Sequence, residues 1–119
     1  MAAFRDFEIQ AIRILGDRVL TDRQLSVLEQ IATPSRYEYT GSGYFLTAVH
    51  PELPSESQTL SYPDVVGESG EITCGFVVFL GSNELTLECH TWGSIDVPDN
   101  FRELPVCVGT PPVNAVDLR

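Results

Sequence analysis

Three cysteines and two histidines are the residues in this sequence best suited to covalent chemistry. An imidazole can hold a nearby thiol as its reactive thiolate, so the candidate nucleophiles are Cys74 and Cys89. The candidate bases are His50 and His90. Cys89 and His90 are adjacent, however, and adjacent side chains of a strand point to opposite faces of the sheet. The sequence therefore favours cysteines that are buried as small apolar residues.

Cysteine and histidine are also zinc ligands, and a zinc site takes about four of them. The candidate ligands are Cys74, Cys89, Cys107, His50 and His90. No two cysteines and no two histidines are closely spaced, as they are in most zinc sites. Acidic pairs can share acid–base catalysis, but nothing in the sequence indicates the shifted pKa values that this requires. The pairs are Glu84 with Glu88 and Asp96 with Asp99. We therefore predict no metal and no cofactor.

The net charge of −10 is distributed unevenly along the chain. All seven basic residues are arginines, and residues 37–101 contain ten acidic residues and none of the arginines. The ten acids are Glu38, Glu52, Glu56, Asp64, Glu68, Glu71, Glu84, Glu88, Asp96 and Asp99. Such a surface repels phosphate groups, which argues against nucleic acids and anionic membranes, and it attracts basic proteins. The alternative is that the acidic residues only maintain solubility.

Length and composition indicate a small globular protein. A chain of 119 residues, of which 43% are hydrophobic, is typical of one domain. No stretch is apolar enough to span a membrane, and the N-terminus lacks the apolar stretch of a secretory signal. An odd number of cysteines without close pairs argues against a disulfide framework. We therefore predict a single domain over residues 1–119, with reduced thiols and a cytoplasmic location.

The segment from residue 4 to residue 15 fits two patterns. Phe7, Ile9 and Ala11 alternate as in a half-buried strand. One helical face is also possible, formed by Phe4, Phe7, Ala11 and Leu15. We predict a strand, because phenylalanine and isoleucine favour strands.

A helix follows, because Thr21 and Gln24 match a capping box. Its apolar stripe consists of Leu25, Leu28, Ile31 and Ala32. We expect it to end at Thr33-Pro34, since the residue before a proline is disfavoured in a helix, and to cover one face of the sheet.

Two hairpins are predicted downstream. Residues 37–40 and 44–49 are β-prone runs on either side of a glycine-rich turn. Residues 75–80 form a continuous apolar run, typical of a central strand, and residues 84–90 alternate between polar and apolar. A two-residue turn at Ser82-Asn83 places Leu80 opposite Leu85, Val78 opposite Leu87 and Phe76 opposite Cys89. Glu84, Thr86, Glu88 and His90 then line the other face.

The remaining segments have weaker patterns. Residues 50–71 are rich in proline, glycine and serine, which predicts a long loop with little beyond a short edge strand at 59–62. We expect a one-turn helix at 96–102, a last strand at 104–108 and an extended tail at 109–119. The predicted fold class is α+β, a mostly antiparallel sheet of about five to six strands with one main helix packed on one face.

Two stretches carry a resemblance to known proteins: GYFLTAVHP at residues 43–51 and ELTLECHTWG at residues 84–93. They resemble stretches of small bacterial proteins that include predicted immunity proteins of polymorphic-toxin systems. The resemblance covers about the middle half of the chain. It implies an α+β protein that binds and neutralises a toxin domain, and it supplies no catalytic residues.

The predicted function is that of a non-enzymatic acidic module that binds a basic protein, such as an immunity protein that neutralises a basic toxin. The predicted contact residues are Glu52, Glu56, Asp64, Glu68 and Glu71 in the long loop, followed by Glu84 and Glu88. An alternative is a small enzyme or ligand-binding protein that uses His90 or a cysteine. A third possibility is a homo-oligomer built by pairing of exposed strand edges.

Overall fold

The computed structural model describes residues 3–111. Its elements in chain order are α1 (Asp6–Leu15), α2 (Asp22–Gln30), β1 (Arg36–Tyr39), β2 (Gly43–Val49), β3 (Gln58–Leu60), β4 (Val66–Ser69), β5 (Ile72–Gly81), β6 (Glu84–Thr91), a one-turn 3-10 helix (Phe101–Glu103) and β7 (Cys107–Gly109). The fold class is α+β, as predicted. The described residues form two helices and one sheet of seven strands, where the sequence predicted one main helix and fewer strands.

All strand pairs of the sheet are antiparallel. The order is β1-β2-β6-β5-β4-β7, and β3 also pairs with β5. The first half of β5 pairs with β4 and its last residues pair with β3, so two short strands follow one another along the same side of β5. β5 and β6 therefore form the centre of the sheet, and β1 lies at one edge.

The central hairpin has the predicted register. Leu80 pairs with Leu85, Val78 with Leu87 and Phe76 with Cys89. Ser82 and Asn83 form the turn with φ angles of 54° and 60°, the left-handed conformation that a tight two-residue hairpin turn requires. Burial alternates along β6, so the predicted division into an apolar face and a polar face is confirmed.

The prediction of a strand at residues 4–15 was wrong, because this segment forms α1. The helical alternative described its buried face correctly, since Phe7, Ala11 and Leu15 are buried. Ile12 and Glu8 are each 0% exposed as well, and a buried glutamate was not part of either pattern. The helix is selected because it buries this face against the sheet, where the ring of Phe7 lies 6.2 Å from the ring of Phe76.

The capping box of α2 is confirmed. The backbone N–H of Gln24 donates to Thr21 Oγ1 at 3.1 Å, and the backbone N–H of Thr21 donates to the Gln24 side chain at 3.0 Å. The helix ends at Gln30, earlier than predicted, because Ile31 is already extended with ψ at 126°. α1 rather than α2 makes the main helix contact with the sheet, over β5 and β7, and α2 packs beside α1.

Residues 50–71 contain more regular structure than predicted. The short edge strand is present as β3, but β4 was missed, and Val65 between the two strands is 1% exposed. The last strand begins at Cys107, three residues later than predicted, and includes Gly109, which the sequence assigned to the tail. Residues 112–119 of that predicted tail lie outside the described residues.

The core lies between the helices and one face of the sheet. Leu46, Val78, Leu85 and Leu87 are 0% exposed there. No helix within residues 3–111 is long and apolar enough to cross a membrane.

Candidate functional site: the open face of the sheet

The sheet has a second face, on the side opposite α1. Side chains alternate along each strand, so the neighbours of the buried residues in β2, β5 and β6 all point to this side. They include Phe45, Thr47, Val77, Phe79, Glu84, Thr86, Glu88 and His90. Phe79 is 37% exposed and Val49, at the end of β2, is 51% exposed. We call this surface the open face.

Acidic and aromatic side chains are interleaved in the centre of the open face. Glu38 of β1 pairs with Phe45 of β2, which in turn pairs with Glu88 of β6. Neighbouring strands are about 4.8 Å apart, so Phe45 lies between two carboxylates in one row across the sheet. In the next row Thr47 Oγ1 and Thr86 Oγ1 are hydrogen-bonded at 2.8 Å, which fixes both side chains beside Phe79.

Trp92 extends the open face beyond the end of β6. Its backbone N–H donates to the carbonyl of Thr73 at 2.9 Å, so it continues the pairing of β6 with β5. Gly75 leaves space for its ring, because a Cβ built on Gly75 would lie 3.1 Å from Trp92 Cε3 and 2.6 Å from His90 Nε2. The tryptophan and histidine rings therefore lie against the sheet over Gly75, and Trp92 is still 45% exposed.

His90 has an unusual environment within this cluster. Its Nδ1 is buried and has no hydrogen-bond partner among residues 3–111. The closest carboxylate is that of Glu88, with Oε2 at 4.0 Å from Nδ1. Because Nδ1 is enclosed by the protein itself, a partner on the open face would meet the exposed part of the His90 ring and not this nitrogen.

The ion pairs of the arginines lie on the helix side of the molecule, opposite the open face. Four of the arginines within residues 3–111 form ion pairs with acids. The pairs are Arg5 with Glu103, Arg23 with Glu52 and Arg102 with Glu8, each at 2.7 Å, and Arg13 with Glu29. Among the ten central acids, Glu52 is the one that pairs with an arginine of the described segment. The negative charge of the other nine is therefore not compensated by ion pairs with arginine there.

The structure separates the predicted contact residues into three groups. Glu68, Glu84 and Glu88 lie on the open face, since Glu68 pairs with Thr73 and thus shares its side of the sheet. Glu56, Asp64 and Glu71 are exposed in the segments that border β3 and β4.

Glu52 is placed differently from the other predicted contact residues. Both of its carboxylate oxygens accept hydrogen bonds from Arg23, at 2.7 and 2.8 Å. A hydrogen bond from Arg23 lowers the pKa of Glu52. Its charge is therefore already matched by an arginine, and we place it outside the candidate site.

Sequence reasoning missed several members of the open face. Glu38, Phe45 and Phe79 were not selected, although Phe45 stands between the alternating core residues Tyr44 and Leu46. This alternation was a usable signal for Phe45. The grouping of Glu38 with Glu88 was not predictable in the same way, because it depends on β2 pairing with β6 on the side opposite β1, and not with β3, the next strand in the sequence.

The structure does not bring His90 together with the buried cysteines. Cys74 and Cys89 are 0% and 1% exposed on the core face, whereas His90 lies on the open face. A hydrogen bond to Cys74, together with burial, raises the pKa of Cys89. A buried thiol that resists ionisation is a poor nucleophile. No group of three potential metal ligands is present among residues 3–111.

We expect a thiol reagent to separate these cysteines by their accessibility. Iodoacetamide should modify Cys107, which is exposed, and should reach Cys74 and Cys89 only after unfolding. Mass spectrometry of the native and urea-unfolded protein measures this directly. Rapid modification of Cys89 in the native protein would contradict the assignment and would make a reactive thiol the better hypothesis.

A cleft of about 1010 Å³ lies between the end of α1 and β3. Its walls are formed by residues 13–15 and 17–19 on one side and by residues 58–63 on the other. Neither histidine nor any of the cysteines lines it. The cleft therefore gives no support to a small-molecule site that uses His90 or a cysteine.

Beneath the open face, a buried ionic cluster joins α1 to the 3-10 helix. Glu8 is 0% exposed and accepts from Arg102 Nε at 2.7 Å and from Arg102 Nη2 at 2.8 Å. Tyr44 Oη also donates to Glu8. Burial and the negative charge of Glu8 raise the pKa of Tyr44, so its hydroxyl keeps the proton that it donates. With all these groups satisfied by one another, the cluster has the features of a structural element.

A search of protein-family models, curated proteins and solved structures finds no match to this chain. The function of this chain is therefore inferred from the arrangement of its own residues.

Proposed function

We propose that this protein binds a basic protein partner through the open face of its sheet. The observation that carries the proposal is the combination of aromatic side chains and uncompensated carboxylates on one exposed surface. A few residues dominate the binding energy of most protein interfaces, and tryptophan is among the residues most enriched at these positions. Phe79 and Trp92 are 37% and 45% exposed in positions where a partner can cover them.

The acids give this surface its selectivity. Glu38 and Glu88 flank Phe45, Glu84 lies opposite Val49 at the end of β2, and Glu68 lies on the same face nearer to Trp92. Lysine or arginine side chains of a partner can pair with these carboxylates at the border of the contact. Such complementary charges speed association and exclude partners with negative surfaces.

The acids of the loops act at longer range. Glu56, Asp64 and Glu71 are exposed outside the strands, where solvent screens them over about 8–10 Å. They contribute to the approach of a basic partner more than to the final contact. An immunity protein that captures a basic toxin domain fits this arrangement, and that narrower function rests on the resemblance of residues 43–51 and 84–93.

Reversal of charge on the open face should weaken binding. With Glu84→Lys and Glu88→Lys in one variant, we expect retention of the partner to fall about tenfold or more, because two attractive contacts become repulsive. The measurement is a pull-down from the native lysate with the tagged chain as bait, at low and high salt, with quantitative mass spectrometry. The captured protein should be basic and should be lost at high salt.

The matched control has the same charge change on the other side of the molecule. Asp96 and Asp99 are exposed in the loop that contains Val97. The carbonyl of Val97 accepts from Tyr39 Oη at 2.8 Å, which places this loop on the core side. The variant Asp96→Lys with Asp99→Lys should therefore retain the partner. Equal retention by both variants and the wild type would refute a contact through the open face.

A further inference from the structure

The edge strand β1 has an exposed outer side. Arg36, Tyr37 and Glu38 are all exposed, and β1 pairs with β2 alone among the described strands. An edge with unpaired backbone groups is a template for another strand. Four residues are enough for such pairing if the side chains of the second strand are compatible.

The hydrogen-bond pattern shows which backbone groups of β1 point outward. The backbone N–H of Thr40 donates to the carbonyl of Gly43 at 2.8 Å, so Thr40 is directed at β2. In an antiparallel pair this direction alternates from one residue to the next. Glu38 and Arg36 are therefore also directed at β2, whereas Tyr37 and Tyr39 present their N–H and C=O groups to the outside.

The sequence of β1 is complementary to itself in one arrangement. When two β1 strands run antiparallel with Tyr37 opposite Tyr37 of a second copy, the two residues exchange a pair of backbone hydrogen bonds. Arg36 of each copy then lies opposite Glu38 of the other. These flanking positions are the closer of the two kinds of cross-strand pair, and opposite charges there are favourable.

Neighbouring two-fold arrangements are disfavoured by charge. An axis through Glu38 places two carboxylates opposite each other, and an axis through Arg36 places two guanidinium groups opposite each other. Like charges directly opposite one another destabilise a strand pair. Arg36 is available for the favourable arrangement, since its one side-chain hydrogen bond within the described residues is a long one of 3.4 Å to Thr47 Oγ1.

Tyr37 adds an apolar contact on the core side of the same edge. Its side chain is 41% exposed and its ring lies 5.6 Å from that of Tyr44. The guanidinium of Arg102 lies 5.8 Å from the centre of the Tyr37 ring, which holds the ring in place. In the Tyr37-centred arrangement the exposed sides of two such rings meet.

We infer that two copies of this chain form a two-fold symmetric dimer through β1, centred on Tyr37 and held by two Arg36–Glu38 ion pairs. The two sheets join into one continuous sheet, and the two open faces lie on the same side of it. The contact is small, below the size of a standard interface, so the dimer dissociates readily on dilution. This inference does not depend on the proposed basic partner.

Analytical ultracentrifugation of the full chain alone tests the dimer. We expect the mass to rise from 13.1 kDa towards twice that value as the concentration increases. Arg36→Glu alone, or Glu38→Arg alone, places like charges opposite each other and should weaken self-association at least tenfold. The double variant Arg36→Glu with Glu38→Arg restores opposite charges and should recover the dimer. Circular dichroism melting shows whether each variant is folded.

The exchange of charge between Arg36 and Glu38 distinguishes the Tyr37-centred dimer from self-association through another surface. The inference would be overturned if the wild-type mass stays at 13.1 kDa at every concentration up to about 1 mM. A dimer with a Kd in the millimolar range or below would be detected at that concentration. So would self-association that the folded single variants leave unchanged, because it would then use another surface. Failure of the folded double variant to recover the dimer would exclude the Tyr37-centred arrangement.

Discussion

Replacement of Arg102 by methionine should lower the free energy of unfolding by about 3–5 kcal/mol. The two hydrogen bonds from Arg102 to Glu8, at 2.7 and 2.8 Å, would be lost while the carboxylate stays 0% exposed. Arg102 also donates to the carbonyl of Ala3 at 2.7 Å, so the start of the described chain would lose a tether. Urea denaturation followed by circular dichroism measures the change.

The pair Arg13–Glu29 provides the control, because both side chains are about half exposed. Arg13→Met should cost less than about 1 kcal/mol, as exposed ion pairs usually do. A variant that combines Glu8→Leu with Arg102→Met removes both charges and should recover part of the stability that Arg102→Met loses. If Arg102→Met and Arg13→Met unfold at the same urea concentration, the buried cluster does not have the structural role assigned to it.

This cluster also explains why the first helix was not predicted. The pattern over residues 4–15 was ambiguous because Phe7 and Ala11 belong to both a strand face and a helical face. The side chain that distinguishes the two is Glu8, which is buried in the helix. Its burial depends on Arg102, which is 94 residues away along the chain. Local periodicity contains no information about such a partner.

The central hairpin could be predicted because its determinants are local. Ser82 and Asn83 adopt the left-handed conformation of a tight turn, and the apolar residues on either side are in phase with it. β4 differs in this respect. It has four residues, too few for a visible alternation, and it forms because β5 offers it a partner.

The candidate site was predictable in its charge and not in its shape. The excess of acids in residues 37–101 is visible in the sequence, and so is the alternation of Glu84 and Glu88 on one face of β6. The position of Phe45 between Glu38 and Glu88 results from the sheet order β1-β2-β6. β6, the second partner of β2, begins 35 residues after β2 ends. Nothing in the sequence pattern favours that strand order over another. For this reason the sequence alone predicts the contacts in the long loop, whereas the function that we propose uses the open face.

Gly43→Ala is expected to lower the free energy of unfolding by about 2–3 kcal/mol. Gly43 begins β2 and lies opposite His90 of β6. A Cβ on Gly43 would lie 2.0 Å from the carbonyl oxygen of Cys89, which is backbone and cannot rotate away. The strand would have to move from β6, and the row that contains Tyr44 and Cys89 would open. Thermal and urea unfolding both report this change.

Gly109→Ala is the matched control, since Gly109 also lies in a strand and no heavy atom of the described residues, apart from Gly109 and its two chain neighbours, lies within 4 Å of its Cβ position. The free energy of unfolding of Gly109→Ala should stay within about 0.5 kcal/mol of the wild-type value, as for most surface substitutions. A difference between the two alanine variants would then come from the close approach of β2 to β6 and not from the loss of a glycine. Equal stability of the two would mean that β2 can shift at Gly43 without cost, and that the close approach of the two strands at this position does not constrain the sheet.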